Sequence, residues 1–393
     1  MKMNALVRIA GLLITLAVPT ASLWAADAQR GVTDNEIIVG TATDLSGVTA
    51  VQGVNSADAI RLAFDELNAA GGVNGRKIHY IVEDTQYQVP RAVQAINKLI
   101  NNDNVFFTIE DGGTPMNNAT FPMAIEKNVP KLLPLSAARS MYEPFNRLKF
   151  SQYSSYVDQI RAGVKYFAEQ RGKKAICAMY QDTDFGKDVL AGAVLQTAAL
   201  NMKVVDTTAH KPTDTDFTAS IAKLRDANCD LIVLGTIVRD TTLILSTARK
   251  AGWNVDFLGQ IASYDTAIAT APGDVAEGYY AMSPSLYAYP DDPRPEVQAL
   301  MRRFKTKYGF DINYLGETGY VSAQIAIEAL RRAGRDLTLD NLVTAMESLK
   351  DFKDIFGATY TFTPTDHHGT TKAYLSIVHN ERWVPVMPDA LAY

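Results

Sequence analysis

Short runs of consecutive apolar residues alternate along this chain with longer stretches in which apolar positions recur every three or four residues. That rhythm predicts strands buried on both faces, each followed by an amphipathic helix. The first unit spans residues 37–85. Ile37, Ile38, Val39 and Gly40 make a strand, Thr43, Asp44, Leu45, Ser46 and Gly47 make a turn, and residues 56–70 carry Ala59, Leu62, Ala63, Phe64 and Leu67 on one helical face. Gly71 and Gly72 stop the helix. Asn74-Gly75 turns the chain, and residues 78–84 return as a parallel strand. The loop after the first strand thus opens at the carboxyl edge of a sheet, where open α/β sheets bind ligands.

The alternation continues with a helix over 91–101, a strand over 105–109, a glycine turn at Asp111-Gly112-Gly113-Thr114-Pro115 and a helix over 118–127. Glycines there let backbone N–H groups face an acceptor oxygen at a helix start. A strand over 130–135 ends in Ser136-Ala137-Ala138-Arg139, and residues 150–153 form a short extended piece. A second alternation follows, with helices over 155–171, 186–200, 217–227 and 241–251 and strands over 175–180, 203–207, 231–235 and 257–259. A strand over 278–283 and helices over 295–308, 319–333 and 338–348 lack enough strands for a third sheet, so they are assigned back to the first lobe. Residues 359–362 and 373–378 read as a closing hairpin-like pair on the second lobe. The expected fold is α/β, with two doubly wound lobes joined by a hinge of about three crossings around a cleft. The first lobe takes 29–150 plus 278–355, and the second takes 151–277 plus 356–393.

Composition narrows the function. The chain has 393 residues, 47% hydrophobic and 21% charged, with a net charge of -5. Nothing concentrates Lys and Arg as a nucleic-acid binder does, so nucleic acid is not an expected partner. Lys2 and Arg8 precede an apolar run over 9–18 that is too short to span a bilayer, and Ala26-Asp27-Ala28 has a small-x-small pattern. Residues 1–28 therefore read as a cleaved signal peptide. No second apolar stretch would hold the chain in a membrane. Cys177 and Cys229 are the only cysteines, each in or just before a buried-looking strand. They are either inert core thiols or a disulfide that an oxidising compartment permits. The five histidines show no metal-ligand spacing; His367-His368 is their one adjacent pair. There is no nucleophile elbow, no phosphate loop, and no third glycine at dinucleotide spacing between Gly47 and Gly53. Neither a cofactor nor an enzymatic activity is expected.

These motifs in this order resemble a known family. Ile38-Val39-Gly40 with Leu45-Ser46-Gly47 and Gly53, Ala69 through Arg76, Asp84-Thr85, Gly113-Thr114, Asn128-Val129-Pro130, Tyr180-Gln181-Asp182, Asp184-Phe185-Gly186, Asp230-Leu231-Ile232 and Ala276-Glu277-Gly278 carry the likeness. The chain resembles the periplasmic solute-binding proteins of ABC importers, specifically the leucine/isoleucine/valine-binding group with the type I fold of two Rossmann-like lobes. The resemblance covers residues 31–386. It implies a non-catalytic, monomeric periplasmic receptor that closes on a small molecule and delivers it to an inner-membrane permease driven by a separate ATPase. A ligand sensor coupled to a membrane signalling partner would use the same hinge physics.

The resemblance also points to a ligand-binding set, and there this chain departs from the family pattern. Amino-acid binders hold the α-carboxylate on two turns that match residues 111–114 and 136–139. Here Gly112 stands where a serine is usual and Ala138 where a threonine is, while the backbone donors of Gly113, Thr114, Ala137 and Ala138, with Ser136 and Arg139, remain. The acid that takes the α-ammonium is replaced by Ile261, with Asp240 as the possible substitute. Gln52 stands where an aromatic is common, and Phe185 matches an aromatic that stacks on the ligand. Tyr153, Tyr156 and Tyr264 are expected near the cleft, as ring partners or as packing. An uncompensated buried ammonium costs several kcal/mol against about 1 kcal/mol for one neutral hydrogen bond. The expected ligand is therefore a small organic acid, aromatic or aliphatic, without an α-amino group; a branched-chain or other amino acid is the alternative.

Overall fold

The computed structural model of the chain describes residues 29–393; the expected signal peptide lies outside the described residues. The first lobe opens with β1 (Glu36–Thr43), α1 (Ala50–Ala69), β2 (Lys77–Asp84), α2 (Val89–Asn101), β3 (Phe107–Ile109), α3 (Thr114–Glu126), β4 (Lys131–Leu132) and β5 (Lys149–Phe150). All five strands run parallel in the order β2-β1-β3-β4-β5. The second lobe continues with α4 (Tyr156–Gln170), β6 (Ile176–Gln181), α5 (Asp184–Ala199), β7 (Thr207–His210), α6 (Thr218–Asp226), β8 (Leu231–Gly235), α7 (Val238–Lys250), β9 (Asp256–Gly259), α8 (Thr266–Ala269) and β10 (Tyr280–Ser283). The remaining elements are α9 (Pro295–Tyr308), α10 (Tyr314–Ala333), α11 (Leu339–Glu347), β11 (Phe352–Lys353), β12 (Thr359–Tyr360), β13 (Tyr374–His379) and β14 (Arg382–Pro385).

Each lobe closes over its own apolar core. Ile60, Phe64, Phe107, Leu300, Phe304 and Leu330, the last three from α9 and α10, meet in the first. Ile160, Phe167, Val189, Ile232, Leu258 and Leu375 meet in the second. Helices α1, α2, α3, α5, α7 and α10 begin earlier than periodicity indicates. Helix α1 starts at Ala50 instead of residue 56, because Gln52, Gly53 and Asn55, polar or small in sequence, are buried between the lobes.

Three expectations are corrected. Strand β10 lies between β9 and β13 in the seven-stranded sheet β14-β13-β10-β9-β8-β6-β7, so the return to the first lobe follows Ser283 instead of residue 278. Residues 359–362 do not pair with 373–378. Strand β12 pairs with β11, and Tyr360 and Phe362 are buried in the first core, so the second-lobe segment does not start at 356. The hairpin partner of β13 is β14, which Arg382 and Pro385 disguise at an exposed edge. In the second lobe, the ladder of the edge strand β7 engages Thr207–His210 where the apolar run had indicated 203–207. The two cysteines are joined as a disulfide, Cys177 on β6 to Cys229 just before β8.

Around the hinge, the chain's return from α11 toward β13 packs on its first crossing. His367 stacks on Phe150 and donates from Nδ1 to Lys149 O (2.8 Å), while His368 stacks on Tyr142 and donates from Nε2 to Tyr153 O (2.8 Å). The adjacent histidines are thus hinge packing.

Candidate functional site

The cleft between the lobes narrows to a cavity of about 50 Å³. Its first-lobe wall is built by loops at the carboxyl ends of β1, β2, β3 and β4, on either side of the point where strand order reverses. Two buried carboxylates shape that wall. Asp44 accepts from the N–H groups of Ser46, Gly47 and Thr49 and from the Thr49 hydroxyl, which fixes the start of α1 so that Gln52 and Gly53 face the cavity. Asp111 accepts from the Ala42 N–H (2.8 Å) and the Thr108 hydroxyl (2.6 Å) and pairs with Lys131 Nζ (2.8 Å), both side chains being almost fully buried. That clamp sets the turn at Gly112 and Gly113. Gly113 sits at φ +85°, and a Cβ there would lie 2.2 Å from Met116 Cε; at Gly112 it would lie 2.5 Å from Thr43 Oγ1.

A neutral donor corner results. Helix α3 begins at Thr114, whose N–H, like that of Ala137, has no backbone acceptor among the described residues. The Thr114 and Ser136 hydroxyls are 2.7 Å apart. Tyr156 lines the cavity with them, and burial pushes its phenol up to about 12, against the pull of the Ala137 backbone and the Ser136 and Thr114 hydroxyls. The positive end of the α3 dipole adds to this corner, which is suited to a carboxylate.

The second-lobe wall is apolar. Phe185 stands at the start of α5, its ring 5.0 Å from that of Tyr156, with Ile237, Ile261 and Ala262 beside it. The N–H groups of the Ile261 turn are used internally, Ile261 on Gln159 Oε1 (3.0 Å) and Ala262 on Gln260 Oε1 (2.6 Å). The lobes are closed on each other: Gln52 Nε2 donates to Ala262 O (2.9 Å), the Tyr87 hydroxyl to Gln181 Oε1 (3.3 Å) and Asn118 Nδ2 to Asp184 Oδ2 (2.8 Å). At the hinge, Tyr153 lines the cavity while its hydroxyl lies 3.0 Å from both Glu110 Oε1 and Thr318 Oγ1. Glu110 also accepts from Gln152 and Ser322, and burial pushes its carboxyl up to about 8.

Gln52, Gly112, Gly113, Thr114, Ser136, Ala137, Tyr153, Phe185 and Ile261 are brought together around this cavity; Ala138, Arg139, Asp240 and Tyr264 are not. Ala138 is buried behind the turn, its N–H on Ser136 Oγ. The side chain of Arg139 lies in an outer groove with Nε 3.5 Å from Asp188. Asp240 is wholly buried but turned away, onto His210 Nε2 (3.1 Å) and the guanidinium of Arg239 (2.5 Å), so it is no substitute for the missing acid. Tyr264 packs between Tyr314 and Trp383 in the core. Sequence reasoning missed Thr43, Thr49, Tyr87, Leu135, Ile237, Ala262 and Leu315. The carboxyl-edge rule applied to every strand, instead of to the glycine turns alone, would have reached Thr43, Tyr87, Leu135 and Ile237. Among the described residues, no side chain lining the cavity is charged.

The family model described as "Periplasmic binding protein" matches residues 36–381. The chain is 24% identical over 300 residues to a leucine-, isoleucine-, valine-, threonine- and alanine-binding protein of Pseudomonas aeruginosa, covering 76% of this chain and 79% of that one. A fatty acid ABC transporter substrate-binding protein from Thermomonospora curvata superposes with a TM-score of 0.83 at 26% identity, over 93% of this chain and 94% of that one. A branched-chain amino acid ABC transporter protein from Thermus thermophilus with bound valine gives a TM-score of 0.83 at 21% identity, over 92% and 98%.

Proposed function

The chain belongs to the periplasmic binding protein family, with the two-lobed type I fold of its Leu/Ile/Val-binding members, and from that premise we propose that it is the periplasmic receptor of an ABC importer for a compact carboxylic acid without an α-ammonium group. One observation carries this reading: the cavity pairs a neutral donor corner with a lining free of any charged side chain. A carboxylate on the Thr114 and Ala137 N–H groups and the Thr114, Ser136 and Tyr156 hydroxyls gains charge-assisted hydrogen bonds at a helix start. An ammonium enclosed in the same space gains no counter-charge, since Ile261 occupies the family's acid position and Asp240 is engaged elsewhere. The imbalance is several kcal/mol. The fatty acid named for the Thermomonospora curvata relative is an acid without an α-ammonium. The closed receptor then presents both lobes to an inner-membrane permease, whose ATPase drives release.

The amino-acid reading draws on the name of the Pseudomonas aeruginosa relative. A thermal-shift series separates the two. A ligand at 100 times its Kd stabilises the folded state by roughly 2.7 kcal/mol. Leucine is set against 4-methylpentanoate, its counterpart without the amine, together with benzoate and butanoate. The carboxylates without an amine are expected to raise Tm, and leucine is not. A shift with leucine equal to or above that of 4-methylpentanoate overturns the carboxylate reading.

A further inference from the structure

Resting on that reading, we infer that the ligand carries a second oxygen, a hydroxyl, in addition to its carboxylate, and that Thr43 selects for it. Thr43 ends β1, is 1% exposed and lines the cavity, yet its Oγ1 has no hydrogen-bond partner among the described residues. The hydroxyl lies between the glycine backbones of 53 and 112, a position kept open because a side chain on Gly112 would come within 2.5 Å of it and one on Gly53 within 3.0 Å. It abuts Gly112 of the same turn but makes no hydrogen bond to the donor-corner hydroxyls of Thr114, Ser136 and Tyr156. A buried hydroxyl without a partner is rare and costly, and on a residue that lines the cavity it is the group a guest's polar atom would satisfy.

On the opposite lobe a second unpartnered group lies behind the apolar wall, outside the cavity lining. Gln181 is fully buried at the carboxyl end of β6; its Oε1 takes the Tyr87 and Thr183 hydroxyls, and its Nε2 is left without a partner. Tyr87 reaches this pair from a loop in which both Gln86 and Tyr87 hold left-handed backbone, φ +51° and +53°, a strain that side-chain residues accept where a site demands it. The Tyr87 hydroxyl donates to Gln181 and keeps its lone pairs for a donor in the cavity. A ligand hydroxyl would donate or accept at Thr43 and meet Tyr87, satisfying groups that an unsubstituted acid leaves bare. A site that hydrogen-bonds a substrate hydroxyl rejects the analogue lacking it strongly, because its own buried polar groups then stay unpaired.

The test is calorimetric titration of the whole mature chain with matched pairs: benzoate against 2-, 3- and 4-hydroxybenzoate, and butanoate against 2-, 3- and 4-hydroxybutanoate. At least one hydroxylated isomer is expected to bind tenfold or more tightly than its parent. Thr43→Val, nearly the same shape, should bring that ratio close to one, and Thr43→Ser should restore it. Without ligand, Thr43→Val should keep or raise Tm, since it removes an unpartnered hydroxyl; a lower Tm assigns Thr43 a structural bond and overturns the inference. Equal binding across each pair, or a preference that survives Thr43→Val, overturns it while leaving the carboxylate reading intact. No binding by any of these acids, with binding of leucine, removes both.

Discussion

The first lobe orders its strands β2-β1-β3-β4-β5, and the parallel part of the second orders them β7-β6-β8-β9-β10, so in chain order both follow one plan with one switch point apiece. The two switch points face each other across the cavity with opposite chemistry. The first presents backbone N–H groups and hydroxyls at Thr43, Thr114, Ser136 and Ala137, whereas the second presents Phe185, Ile237 and Ile261. Their support differs accordingly. The polar face is held from behind by the Asp111–Lys131 ion pair and by the Glu110 cluster. The apolar face is held by packing and by the neutral amides of Gln159 and Gln260 on the Ile261 turn, with the Cys177–Cys229 bond tying β6 to the turn before β8. Shared topology therefore places the site, and the side chains behind each wall decide what it recognises.

The sharpest way to break the contrast is to remove the polar face's support. Asp111→Ala leaves the Lys131 ammonium buried without its partner and frees the Ala42 N–H. A broken buried pair costs about 3–5 kcal/mol. Urea denaturation should show a loss of that size together with lost carboxylate binding. A loss under about 1 kcal/mol would show that the pair does not hold the donor corner.

A smaller effect follows from Glu110, whose carboxyl burial raises from the usual 4.5 to about 8. Between those values the folded chain keeps a proton that the unfolded chain has released, so stability falls as pH rises through the window. Below it both states are protonated, and above it the penalty is complete. Asp111 adds to the rise by its charge, and Asp265, raised to about 6 by burial, slopes the same way near the acid end of the range. Glu110→Gln isolates the Glu110 term. From pH 5 to pH 9 the variant should gain on its parent by on the order of 2–4 kcal/mol in denaturation free energy. A constant difference across that range would mean that Glu110 is ionised in the fold.

Much of the polar face was legible because glycines and strand ends announce it: Gly112, Gly113, Thr114, Ser136 and Ala137 follow from turn chemistry at a sheet's carboxyl edge. Tyr87 was less so: the carboxyl-edge rule reaches its loop, but Gln86 and Tyr87 take left-handed backbone without the glycine that would flag the turn. Asp240 misled because its partner His210 is 30 residues away on the edge strand β7, and periodicity does not bring the two together. Tyr264 misled in the same way, its Trp383 neighbour coming from β14 near the end of the chain. The disulfide pairing and the place of β10 also depend on which strands lie side by side, and apolar periodicity alone does not contain that.

The mildest intervention changes the apolar face toward the polar one. Ile261 is 3% exposed and lines the cavity, and its backbone is already held by Gln159, so Ile261→Glu alters the wall without moving the turn. The new carboxylate meets no cation in the lining, and the unliganded variant should be less stable than its parent. A ligand ammonium relieves that cost, and a ligand lacking one adds a second negative charge to an enclosed space. The ratio of leucine affinity to 4-methylpentanoate affinity should therefore rise at least tenfold, or about 1.4 kcal/mol, when both are titrated calorimetrically. An unchanged ratio would separate Ile261 from the part of the ligand next to its carboxylate, and the absence of an ammonium site would then have to be argued from the rest of the lining.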